Sequence, residues 1–318
     1  MENPEQHENS DLTTATGDPA HTSPSGWRSM FLRAGGMRAG WRLLLFAIFF
    51  FVAINIFVLA AVALRLPLPN SRTVITPVTV ITQELLSILA TFAAVFVMAR
   101  IERRSFFDYG LPWRGAFGGR FWKGTVWGIV SFSATILLIA ALHGFSLGHV
   151  ALSGSTLARQ SIVWALAFLL VGIWEETFFR GYALLTLADG IGFWPAASVL
   201  SAFFCFVHLV GNGGEAWAGM PQIYLISLLL CLTLRRTGTL WFAVGMHAGW
   251  DYAETFLFSS PDSGTVAPGT LVSSSFHGPR WLTGGTVGPE ASVFSVVVLL
   301  LAMLLFARLY PPREKNVG

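Results

Sequence analysis

The chain reads as an all-α membrane protein: a polytopic bundle of about eight transmembrane helices enclosing a polar intramembrane cavity. Three observations carry that reading. Of 318 residues, 54% are hydrophobic and only 12% are charged, against about a quarter charged in an average soluble domain. The apolar residues gather in runs of about twenty, the length that crosses a hydrocarbon layer ~30 Å thick. Three of those runs carry polar motifs built on ionisable side chains, which cost roughly 2.5–3.5 kcal/mol at the centre of a spanning helix and therefore call for a protein interior to face.

The elements follow in order. Residues 1–26 carry Glu2, Glu5, Glu8, Asp11 and Asp18 among Ser, Thr and Pro, with almost nothing apolar, the composition of a disordered tail. The whole segment 1–40 precedes the first apolar run, and no small-residue cleavage site follows that run, so it reads as a retained span rather than a signal peptide. Spans are expected near 41–64, 77–100, 122–142, 160–188, 193–210, 221–235, 238–258 and 290–310, within a membrane domain over 41–310. Between the second and third, IERRSFFDYGLPWRGAFGGRF mixes Arg, aromatic residues and Gly and reads as an interfacial elbow with a short amphipathic segment.

Basic residues orient the bundle. Arg28, Arg33, Arg38 and Arg42 lead into the first span. Arg100, Arg103, Arg104, Arg114, Arg120 and Lys123 lie between the second and third, Arg235 and Arg236 follow the sixth, and Arg308, Arg313 and Lys315 close the chain. With eight spans all fall on one side. Both termini, including the tail 311–318, are therefore expected to be cytoplasmic in a plasma (inner) membrane protein, and the Ser/Gly/Pro-rich loop 259–289 to be extracytoplasmic. Cys205 and Cys231 sit in apolar runs and read as small core residues. No CxxC, HExxH or Gly-rich phosphate loop occurs, and nothing points to a nucleic-acid partner.

The chemistry concentrates in three of the runs. WEETFFRG, residues 174–181, places two carboxylates and a guanidinium inside an apolar stretch. Glu176 and Arg180, four apart with Glu first, share a helix face in the better order for an ion pair. Glu175, about 100° away, must point elsewhere, which frees it for chemistry. FFCFVH ends a second run, with His208 four residues after Phe204. MHAGWDYAE places His247 and Asp251 four apart and Glu254 three further on, on one helical face. At 1.5 Å per residue from the cytoplasmic ends of these spans, Glu175, His208, His247 and Asp251 lie about 20, 22, 14 and 20 Å deep, so one cavity can hold all four. Glu84 lies nearer the outer side and suits a structural or lining role.

These residues resemble the CPBP family of intramembrane proteases, which includes the type II CAAX prenyl endopeptidases and bacteriocin-processing or immunity relatives. EETFFR matches the family's EExxxR motif, FCFVH its FxxxH motif and HAGWD its HxxxN/D motif, in the family's order, over roughly residues 120–258. The resemblance implies a helical membrane fold with a conical interior cavity and peptide-bond hydrolysis by a glutamate, without a cofactor. It makes Glu175 the general base and His208 a group that holds and activates water. It puts His247 and Asp251 at the oxyanion side, with Glu176, Arg180 and Phe204 in support. Asp251 stands where some members have Asn. An ionised Asp cannot donate a hydrogen bond, so Asp251 is expected instead to orient His247 by accepting from its ring N–H.

Other readings stay open. Two His and carboxylates also suit zinc. A non-catalytic scaffold or immunity protein would keep the same polar cluster as helix glue. A transporter would favour paired broken helices in repeated halves, and no internal repeat is evident. The expected partner is a membrane-anchored, hydrophobic or lipidated peptide.

Overall fold

The structure is a computed structural model that describes residues 31–312, apart from 34–35, 70, 72–73 and 213–215. Most of the tail 1–40 and nearly all of 311–318 lie outside the described residues. Before the bundle, Leu32–Arg33 (β1) and Gly36–Met37 (β2) pair antiparallel as a small hairpin. From Ala39 onward the described residues form one compact unit.

It is built of α1 (Ala39–Ala63), α2 (Pro77–Glu102), α3 (Gly119–Ala141), α4 (Gly154–Glu175), α5 (Leu184–Ile191), α6 (Phe193–Asn212), α7 (Met220–Thr237), α8 (Trp241–Asp251) and α9 (Val293–Leu309). Local sequence explains the boundaries. At α2, Thr76 caps the first turn: its Oγ1 accepts from Thr79 N at 3.3 Å, Thr79 Oγ1 accepts from Thr76 N at 3.2 Å, and Pro77 needs no donor there. The interfacial elbow is a turn over Phe106–Tyr109 capped by Ser105, with Phe107 and Trp113 exposed.

Among the described residues, six helices are long and apolar enough to cross a membrane: Ala39–Ala63, Pro77–Glu102, Gly119–Ala141, Gly154–Ile191, Phe193–Gly211 and Trp217–Thr237. The expectation was about eight. The other two expected spans are helical but short. One is Trp241–Asp251, prolonged by a π-helical segment Tyr252–Leu257; the other is Val293–Leu309. The reason for the first is its place in the fold. Every residue of α8 from Trp241 to Trp250 is buried, so α8 is wrapped by protein on all sides. α1 is the opposite case, the most apolar span yet only 11% buried, with Phe51, Leu59 and Val62 exposed as a lipid-facing surface would be.

α8 is held chiefly by α3, through glycines on both helices. A Cβ at Gly124 would lie 2.1 Å from Phe242 O, and one at Gly128 2.1 Å from Met246 O. In return, a Cβ at Gly245 would lie 2.1 Å from Phe121 O, and one at Gly249 2.3 Å from Thr125 O. The two GxxxG pairs thus bring the backbones together at a distance that no larger residue permits.

The loop after α8 folds back over the bundle. Ser275–Phe276 (β4) pairs antiparallel with Phe145–Ser146 (β3), and single bridges join Val74 to Val266 and Val150 to Val272. Three inter-helical connections are therefore knitted together at one end of the bundle.

Candidate active site

α4 does not end at Glu175. The chain continues as a π-helical segment over Glu176–Ala183 before resuming α-helix. Such insertions alter the register of the side chains that follow and recur at functional sites. The expected ion pair forms: Arg180 Nη1 donates to Glu176 Oε1 at 3.0 Å, with both groups almost fully buried. Arg180 also lies 4.4 Å above the Phe204 ring, and Phe204 packs 4.2 Å from the imidazole of His208. The supporting residues therefore form one stack, Glu176–Arg180–Phe204–His208, leading from α4 to α6.

Glu176 has a second partner. Its Oε1 lies 2.8 Å from His247 Nδ1. A carboxylate only accepts, so Nδ1 carries the proton. This corrects the expectation for Asp251, whose Oδ2 is 3.6 Å from His247 Nε2 and beyond direct hydrogen-bond reach. The orienting acceptor is Glu176, whose carboxylate reaches the α8 imidazole directly. Glu175 Oε2 lies 3.6 Å from the same Nε2 and is buried without a hydrogen-bond partner. His247 Nε2 thus stands between two carboxylates, each one short step from contact.

His208 Nδ1 pairs with Phe204 O at 2.9 Å. The carbonyl can only accept, so this nitrogen is protonated as well, and in the neutral ring Nε2 is left as an acceptor. Glu175, His208, His247 and Asp251 all line one cavity of about 230 Å³. Glu84 lines it too, 4% exposed, with Oε1 bonded to Gln83 and Oε2 unpartnered.

Glu254 departs from the face expected for it. Beyond Asp251 the helix becomes π, and Glu254 turns away, fully buried, to accept from Trp250 Nε1 at 3.0 Å. Residues not anticipated from sequence join the cavity wall instead: Asp262, Ser263, Thr265 and Glu290. Asp262 and Glu290 are the two acids that bracket the Ser/Gly/Pro-rich loop, the only signal the sequence carried for them. Burial pushes the Glu290 carboxyl up to about 7, with the charge of Asp262 adding to the rise. Asp262 is also raised, again first by burial, with Glu175 adding to it and His208 opposing.

Among the described residues, one ligand atom each from Glu254, Asp262 and Glu290 lie within 4.8 Å of one another.

Residues 156–253 match the family model described as Type II CAAX prenyl endopeptidase Rce1-like. No curated protein and no solved structure matches the chain. The matched stretch runs from α4 to the start of the π segment after α8 and contains EETFFR, FCFVH and HAGWD together. A protease family thus accounts for the segment that carries all three polar motifs, within an integral, multi-pass membrane protein. Over residues 156–253 the chain is thus similar to the Rce1-like type II CAAX prenyl endopeptidases.

Proposed function

We propose that the protein is an intramembrane endopeptidase in which Glu175 activates water to cut a peptide bond of a membrane-anchored or hydrophobic substrate, a prenylated CAAX-type protein among them. The observation that carries the proposal is the division of labour between adjacent acids. Glu176 is committed to Arg180 and His247, while Glu175 Oε2 is unpartnered and its residue lines the cavity.

In this reading Glu175 takes a proton from water as the water attacks the scissile carbonyl. His208, with Nδ1 held by Phe204 O, offers Nε2 to the same water. His247, fixed by Glu176, presents Nε2 to the oxygen of the tetrahedral intermediate and stabilises its charge when the ring carries both protons. Asp251 shares that Nε2 with Glu175 at equal distance and balances the imidazolium. The protonated Glu175 then returns its proton to the leaving amine. No metal or other cofactor takes part. The cavity is small, so the substrate enters as an extended chain. Both termini of the enzyme face the cytoplasm of a plasma (inner) membrane.

The test compares protein termini in native membranes carrying the wild type or Glu175→Gln at matched abundance. The expected result is a set of new ends present only with the wild type, which names the substrate. Identical termini, with the biological effect of the protein retained by the variant, would remove the protease reading and leave a scaffold.

A further inference from the structure

The cavity wall includes part of a second cluster that the proteolytic reading does not use. From the geometry of this cluster we infer that Glu254, Asp262 and Glu290 form a binding site for a hard divalent cation of the Ca²⁺ class, which ties the loop after α8 to the helix bearing the active-site residues. One carboxylate oxygen from each residue falls within 4.8 Å of the others. Ca²⁺ binds oxygen at about 2.3–2.6 Å, so oxygens on opposite sides of it are about 4.6–5.2 Å apart. Mg²⁺, at about 2.0–2.1 Å, demands near-ideal octahedral geometry and dehydrates reluctantly, so it is seldom held by an all-protein cage. An all-oxygen donor set also suits a hard cation better than zinc, whose protein sites usually include His or Cys.

A separate observation points to a ligand. Glu254 is fully buried, and its Oε1 has no hydrogen-bond donor, while Oε2 holds the Trp250 indole. None of the three acids forms an ion pair with Lys, Arg or His among the described residues. An uncompensated buried carboxylate costs several kcal/mol, and a cation shared by the three would supply the missing counter-charge. The remaining contacts hold the other two acids in place. Glu290 Oε2 accepts from Ser263 N at 3.0 Å and Ser263 Oγ at 2.6 Å, and Asp262 Oδ2 faces Thr255 Oγ1 at 3.4 Å. The approach is built by Gly288, at φ +103°, where a Cβ would lie 2.3 Å from Pro261 O. Only glycine lets the Glu290 segment close on residues 261–263. Because Asp262 and Glu290 also line the cavity with Glu175 and His247, the cation would fix part of the cavity wall.

The inference stands apart from the proteolytic reading and is tested on the purified full chain in a non-ionic detergent, with the metal alone. Trp250, bonded to Glu254, is placed to sensitise Tb³⁺ luminescence. The expected result is saturable Tb³⁺ emission displaced by Ca²⁺ well before Mg²⁺, together with a melting temperature raised by Ca²⁺ and restored by chelator. Asp262→Asn and Glu290→Gln should each weaken binding by about tenfold or more. The site is refuted if the wild type shows neither saturable emission nor a Ca²⁺-dependent melting shift, a result that needs no variant to fold. It is equally refuted if both variants bind as the wild type does.

Discussion

Gly128 offers the sharpest test of how the fold positions the site, because it touches α8 and does not line the cavity. In Gly128→Ala the new methyl would sit 2.1 Å from Met246 O and 2.6 Å from Trp250 N, both backbone atoms that cannot rotate aside. Ordinary contact begins near 3.4 Å, so the two helices must part by about 1.3 Å. His247 follows Met246 directly. Its bond to Glu176 is 2.8 Å and its gap to Glu175 is 3.6 Å, so a shift of that size exceeds the whole difference between contact and no contact. Overpacking of this kind costs about 1–3 kcal/mol of stability, and a misplacement of about 1 Å at a reacting group can cost about 100-fold in rate. The assay is the yield of wild-type-dependent protein termini at matched abundance, with thermal unfolding of the purified protein alongside. Gly119→Ala is the control on the same helix, since a Cβ there meets nothing within 4 Å. The expected outcome is a folded Gly128→Ala protein with a lowered melting temperature and cleavage reduced about 100-fold, beside an unaltered Gly119→Ala. Cleavage within a few-fold of wild type would show that the α3–α8 approach does not set the position of His247.

Two further substitutions probe the buried charges. Glu176→Ala removes the acceptor shared by Arg180 and His247 and strands a buried guanidinium, at a cost of about 3–5 kcal/mol. Glu176→Gln retains an acceptor oxygen and should lose less, an ordering that thermal melts in detergent would check. Arg42→Ala should destabilise by a comparable amount. Arg42 pairs with Glu102 and, at 3.0 Å, with Asp189, and Glu102 also accepts from Tyr109 and Tyr182. Cleavage specificity should be unchanged in any surviving Arg42→Ala protein, because this network does not line the cavity.

Some of this was legible in the chain because it is local. The Glu176–Arg180 pair depends on a spacing of four within one helix, and it forms as read. The runs that became α1 to α4 and α6 needed only composition and length. His208 against Phe204 is likewise a contact within one turn. Glu254 could not be placed in this way, because reading it on the face of His247 assumed α-helical periodicity through 254, and the π segment from Tyr252 breaks that period.

The sequence by itself determined a helical membrane protein, a family match centred on three polar motifs, and the separation of Glu175 from Glu176. Only the tertiary structure decided that Glu176 rather than Asp251 orients His247, that α8 is a short helix enclosed on all sides, and that Asp262 and Glu290 stand at the cavity. The physical reason is common to all three. Each depends on approaches between segments far apart in the chain: glycine against backbone carbonyl between α3 and α8, and strand-like pairing that draws the 259–289 loop onto the bundle. Local periodicity carries no record of such distances.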